Sequence, residues 1–300
     1  VATNHNYLLV FTEKGKCFWM RVFEVPEGSK ISKGRAIQNL INIEQDDKIK
    51  AYINVKDLTN EDYVNENYIV MCTKQGIIKK TKLEAYSRPR TNGINAIKIN
   101  EGDELLEAKL TNGNNEIILA KSSGYAIRFN ESTVRTVGRN SIGVRGVTMS
   151  RPDDEVIGMI CIEPESENSI MVVSENGYGK RSNFNDPETG EPIYRVTNRG
   201  GKGVKTISVT EKTGKLIAIK NVSDEDDLMI ITKKGITIRT SLDQVRIMGR
   251  AAQGVSIINL KKGGEIAAVA KVPKSDEDEE IENLDEGADE NGTENDETEV

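Results

Sequence analysis

The chain has 300 residues, with 41 lysines and arginines against 48 aspartates and glutamates, a net charge of −7, and only 5% aromatic residues. No apolar run approaches the roughly 20 residues that cross a bilayer, and no basic-then-apolar leader opens the chain. The three cysteines, Cys17, Cys72 and Cys161, are odd in number and lie in apolar strand patterns, which argues against a disulfide framework and for a cytoplasmic protein. The start at Val1, without a methionine and leading straight into a strand, reads as a piece of something longer.

In chain order, a β-rich run followed by a turn glycine recurs five times. The runs are Tyr7 to Phe11, Tyr68 to Cys72, Ile117 to Ala120, Ile170 to Val173 and Leu228 to Ile231, and the glycines are Gly15, Gly76, Gly124, Gly177 and Gly235. A second glycine follows each time, at Gly34, Gly93, Gly143, Gly203 and Gly254, and opens another apolar segment such as Val255 to Ile258. A third strand closes each unit: Ile49 to Val55, Leu105 to Leu110, Val156 to Ile162, Leu216 to Val222 and Ile266 to Val272.

No window carries apolar residues at helical spacing for three turns, so the reading is almost entirely β. A period near 50 residues with several strands per unit points to an array of small antiparallel sheets, since one such sheet cannot bury both its faces alone. Radial packing answers that need, with two sandwiches of hairpins as the alternative. The units span about 1–60, 61–113, 114–166, 167–224 and 225–273, and an acidic tail occupies 274–300.

The tail holds 14 acidic residues and one lysine, leaving 40 basic and 34 acidic residues in 1–273. Such a segment is expected to be disordered, because it has too little apolar surface to offset its ordering entropy. It either competes with an anionic ligand for the body's cations or serves only solubility.

Positive charge recurs in phase. Lys80, Arg128, Arg181 and Arg239 each stand four residues after a turn glycine, with Trp19 as the exception. More cations cluster between the first and second glycines: Lys30, Lys33 and Arg35; Arg88 and Arg90; Arg135 and Arg139; Arg195, Arg199 and Lys202; Arg246 and Arg250. Summed over radial units they form a curved positive belt suited to duplex DNA, which offers a charge about every 1.7 Å. The scarcity of aromatic residues disfavours base stacking on single strands, and short loops disfavour direct base reading.

The stretch Asn198-Arg199-Gly200-Gly201-Lys202-Gly203, followed by Lys205, concentrates this signal. Its glycines allow close backbone approach, and it lacks the Gly-Lys-Ser/Thr and helix of a Walker A loop. No metal-ligand spacing and no nucleophile–base pair is apparent; the lone His5 lies near the start. No catalytic residue and no metal are assigned.

With Gly143-Val144-Arg145-Gly146-Val147, Asn176 to Arg181 and Gly249 to Val255, this stretch makes residues 1 to about 273 resemble the C-terminal DNA-wrapping domain of bacterial DNA gyrase A. The resemblance implies a β-pinwheel of four-stranded blades that exchange strands, six in the full domain and five visible here. It implies DNA wrapping that yields negative supercoils, with the remainder of gyrase A and with gyrase B as partners in an A2B2 assembly, and ATP and magnesium bound elsewhere in that enzyme. In the family the principal glycine box lies in the first blade, whereas here the match lies in the fourth repeat. The wrapping domain of topoisomerase IV and a propeller-like protein-interaction scaffold are the alternatives.

Overall fold

The computed structural model describes residues 2–28, 33–164, 166, 168–243, 245–260 and 264–274. Lys30 and the acidic tail beyond Lys274 lie outside the described residues. The first repeat contributes β1 (Tyr7–Thr12), β2 (Lys16–Arg21) and β3 (Ile49–Val55). A six-residue helix, α1 (Glu61–Glu66), capped by Asn60, leads into the second. That repeat holds β4 (Tyr68–Thr73), β5 (Ile77–Lys82), a short β6 (Ile94–Asn95) and β7 (Leu105–Thr111). The third has β8 (Glu116–Lys121), β9 (Tyr125–Asn130), β10 (Val144–Arg145) and β11 (Val156–Ile162). The fourth has β12 (Ser169–Ser174), β13 (Tyr178–Asn183), β14 (Val204–Lys205) and β15 (Leu216–Val222), and the fifth β16 (Asp226–Thr232), β17 (Thr237–Ser241), β18 (Val255–Ser256) and β19 (Ile266–Pro273).

Each hairpin turns on the first glycine of its repeat. Gly15, Gly76, Gly124, Gly177 and Gly235 all have φ between 80° and 83°, a region that other residues enter only at a cost. The innermost strand of each blade pairs with the first strand of the hairpin, and a register shift recurs at its start, as between Phe11 and Thr12 and between Cys72 and Thr73. That bulge sharpens the twist the blades need to stack around an axis.

The short strand of a repeat does not join its own sheet. β6 pairs with β2, β10 with β5, β14 with β9 and β18 with β13, so each of the first four sheets borrows its outermost strand from the following repeat. The fifth sheet has three strands among the described residues, β17-β16-β19, rather than the four expected of every blade.

The core lies between blades. Leu9, Phe11 and Ile53 of the first blade pack with Ile69, Met71 and Tyr86 of the second. Alternate residues of β12 serve opposite neighbours: Ile170 and Val172 face the third blade, Met171 and Val173 the fifth. Both faces of such a strand are therefore apolar, as they must be where a sheet is covered on both sides. The molecule is an all-β propeller of five blades, not a pair of sandwiches. Among the described residues no helix is long and apolar enough to span a membrane.

Candidate nucleic-acid interface

The segment that delivers each exchanged strand arches over the outer edge of the preceding blade. It enters beside the cation that follows the hairpin glycine: Val137 N–H donates to Lys80 O at 2.9 Å, Thr197 N–H to Arg128 O at 2.9 Å, and Met248 N–H to Arg181 O at 2.8 Å. It leaves through the second glycine of the repeat. A Cβ on Gly203, whose φ is +81°, would lie 2.4 Å from Ala126 O, so only glycine lets the two backbones approach this closely.

Successive arches are stitched to one another. Arg139 Nη1 donates to Asn95 O at 3.3 Å, Arg199 Nη1 to Arg145 O at 3.0 Å, and Arg250 Nη1 to Lys205 O at 2.6 Å. In parallel, Lys98 N–H donates to Ser141 O, Thr148 N–H to Gly201 O and Ser208 N–H to Ala252 O. The three arginines each stand four residues before the second glycine and reach the carbonyl two residues after the same glycine one repeat earlier. The outcome is a continuous polar rim along the outer edges of the blades.

The arginine-glycine stretch is one of these arches. Gly200 has φ +84°, donates its N–H to Gly146 O at 2.7 Å, and accepts from Thr148 Oγ1 at 2.6 Å. Its glycines thus serve contact with the neighbouring arch and blade, while Gly201 and Lys202 are exposed and Asn198 stands beside them at the surface. Arg199 is half-buried and also donates from Nε to Thr133 O at 3.0 Å.

The belt read from the sequence divides in two. Lys33, Arg35, Arg88, Arg90, Arg135, Arg145, Arg195, Lys202, Lys205 and Arg246 are exposed, and Arg139, Arg199 and Arg250 are half-buried on the rim. Three of the four phase cations are not at the surface, which corrects their reading as phosphate contacts. Lys80, Arg128 and Arg181 are 6%, 6% and 5% exposed and their charges are spent inside. Lys80 pairs with Glu131 at 3.7 Å and lies over the Tyr68 ring. Arg128 Nε donates to Glu116 at 2.6 Å and Nη1 to Tyr194 O at 3.0 Å. Arg181 donates to Ser169 and Leu242 O and pairs with Asp224 at 2.5 Å. The fourth, Arg239, remains exposed with Asp227 at 2.7 Å. In all four cases the partner side chain Tyr68, Glu116, Ser169 or Asp227 stands twelve residues earlier, diagonally across the hairpin and two residues from the directly paired position, a signal the sequence carried.

Comparison with known proteins bears on this geometry. The family profile described as "DNA gyrase C-terminal domain, beta-propeller" matches residues 6–55, 67–112, 115–163, 168–186, 194–223 and 226–273. The chain belongs to this family. It is 43% identical over 292 residues to the DNA gyrase A protein of Staphylococcus aureus strain MRSA252, covering 97% of the chain and 32% of that protein. It is 42% identical over 275 residues to the DNA gyrase A protein of Staphylococcus epidermidis strain ATCC 12228, covering 92% and 30%. The chain therefore spans about a third of the length of these relatives. Among solved structures, the C-terminal domain of DNA topoisomerase IV superposes with a TM-score of 0.78 at 25% identity, covering 95% of this chain and 84% of that one. The DNA gyrase A C-terminal domain gives 0.72 at 25% identity, covering 90% and 83%.

Two further cations emerge in this family member that sequence reasoning passed over. Lys79 and Lys180, each preceding a phase cation, are wholly buried beneath arches. Burial, with Arg139 nearby, pulls the Lys79 ammonium down to about 7; burial, with Arg250 nearby, pulls Lys180 down to about 8.

Proposed function

We propose that this propeller binds duplex DNA along its rim and bends it around successive blades. The observation that carries the reading is the repetition of exposed arginines and lysines on each arch, held at the outermost edge by the exchanged strands. Contacts of this kind neutralise phosphates and carry little sequence information. Bending a 20–30 base-pair site by 40–90° costs on the order of 1–6 kcal/mol, so several rim contacts must offset it together. In this reading the chain is a non-catalytic part of DNA gyrase A. It feeds a DNA segment of fixed handedness to the cleavage and ATP-hydrolysing parts of an A2B2 enzyme formed with gyrase B, and so favours negative supercoils in the cytoplasm.

The likeness to a topoisomerase IV domain favours a second reading, DNA capture for decatenation. The stretch Arg199 to Gly203 supports the gyrase reading over it. The test is topological: the chain, and a version ending at Pro273, are bound to relaxed circular DNA that is then sealed by a nicking-closing enzyme. A linking-number shift of constant sign is expected, and a larger shift without residues 274–300 makes the acidic segment a competitor for the rim. Binding without any shift sinks the wrapping reading.

A further inference from the structure

Lys79 and Lys180 occupy the same place in the second and fourth blades, three residues after the hairpin glycines Gly76 and Gly177. Each is 0% exposed and points at the arch above it. Lys79 Nζ donates to Ala96 O at 2.5 Å and to Arg139 O. Lys180 Nζ donates to Gly249 O and Arg250 O, both at 2.9 Å, and to Ser182 Oγ at 2.7 Å, while Ser182 Oγ donates onward to Met248 O at 2.8 Å. The acceptors are neutral. The titratable and charged groups around Lys79 are Arg139, Cys17 and Tyr86, the last two kept protonated by burial; those around Lys180 are Arg250 and Tyr194, the latter also held protonated by burial.

Burying an ammonium without a carboxylate is costly, and a brace needed only for packing would be apolar. The fold itself supplies that comparison: Phe18 and Ile127 fill the same position in the first and third blades. The arch above Ile127 is the arginine-glycine stretch, which is fastened by its own backbone through Gly146 and Thr148. The lysines stand under arches that carry Asn140-Ser141 and Ala251-Ala252 in place of Gly200-Gly201; the arch above Phe18, with Arg90-Thr91 there, has neither the glycines nor a lysine.

We propose that Lys79 and Lys180 are positioning residues for DNA binding. By gripping the main-chain carbonyls of Arg139 and Arg250 from beneath, they present these two guanidiniums to the phosphate backbone. The inference rests on the wrapping reading. It also explains why an ion is used: a phosphate seated over Arg139 or Arg250 offsets the repulsion between the arginine and the buried ammonium, so binding favours the protonated brace.

The experiment measures affinity of the full chain for a short random-sequence duplex as a function of salt and of pH from about 6.5 to 9, the span over which a lysine with a pKa near 7 to 8 changes charge. Wild type is expected to weaken as pH rises. In Lys79→Met/Lys180→Met the pH dependence should vanish and the slope of log affinity against log salt should fall by about 1.8, two phosphate contacts at about 0.9 each. Adding R139Q/R250Q to that variant should then cost nothing more. An unchanged slope and pH profile in the double lysine variant overturns the proposal. Should that variant fail to fold, R139Q/R250Q alone still decides: a wild-type slope shows that these arginines contact no phosphate and overturns it as well. Failure of the wild type to bind duplex would instead sink the wrapping reading.

Discussion

Replacing Arg128 by methionine tests whether the phase cations hold the blades together or hold DNA. Arg128 is 6% exposed and its partner Glu116 8%. The substitution removes the bonds to Glu116 at 2.6 Å, to Tyr194 O at 3.0 Å and to Asn185 Oδ1 at 3.3 Å, and it lifts a guanidinium from the Phe184 ring. Removing one partner of a buried ion pair leaves an uncompensated charge and costs about 3–5 kcal/mol. The contacts to Tyr194, Asn185 and Phe184 join the third blade to the fourth repeat, and in a repeat array stability is a sum of unit and nearest-neighbour terms. Urea unfolding followed by circular dichroism should therefore show an earlier and broader transition, with the last two blades released first. Adding Glu116→Leu should recover part of the loss, because the stranded carboxylate goes. DNA affinity, measured at a temperature where the variant is folded, should keep its salt slope. A loss under about 1 kcal/mol together with a slope lowered by about 0.9 would refute the reasoning and return Arg128 to the phosphates.

Gly203→Ala should cost more than about 1–2 kcal/mol, the ordinary penalty of left-handed backbone, since its Cβ would also meet Ala126 O at 2.4 Å. Hydrogen exchange should quicken at the β9–β14 pairing, whereas Gly249→Ala, with nothing within 4 Å of its Cβ, should be near neutral. Arg195→Gln/Lys202→Gln, two exposed rim cations, should lower the salt slope of DNA binding by about 1.8 with an unchanged melting temperature. Cys17 and Cys72 are wholly buried and burial holds their thiols well up, so a thiol reagent at pH 8 should label neither in the folded protein and both in urea. Between pH 7 and 10.5 the folded state binds fewer protons at Lys79 than the unfolded chain does. This group's contribution to stability should therefore rise with pH across that window, and Lys79→Met should flatten the rise in urea titrations.

The blade scaffold was legible because it rests on local chemistry. Turn glycines at positive φ and apolar inner strands mark each unit, and the expected strands Ile49 to Val55, Val156 to Ile162 and Leu216 to Val222 coincide with β3, β11 and β15. The partner of each two-residue strand was not legible from spacing, since Val144–Arg145 or Val204–Lys205 is too short to carry a pairing pattern, and strand exchange entered only through the resemblance. The phase cations were visible as a period but not as inside or outside. In a sheet covered on both faces the usual alternation of apolar and polar residues disappears, so Arg128 and Arg181 gave no sign of which way they point. What distinguished them was the acceptor twelve residues earlier, Glu116 or Ser169, which a search for cations alone overlooks.

Separating the two sets of cations changes what the net charge means. The inward set is neutralised where it stands, by Glu116, Glu131 and Asp224. At the hairpin end of the blades a second series, three carboxylates to two lysines, runs from Glu13 through Lys50 and Glu104 to Lys74 and Glu155. Cations at that end and in the interior therefore add little field outside. The rim arginines differ, because Arg139, Arg199 and Arg250 spend donors on main-chain carbonyls, which leaves their charge uncancelled. A rim stitched by carboxylates would hold the arches equally well but would bring no field to a phosphate backbone; stitching it through carbonyls leaves the same side chains free, on the proposed wrapping reading, to attract DNA while they fix the arches.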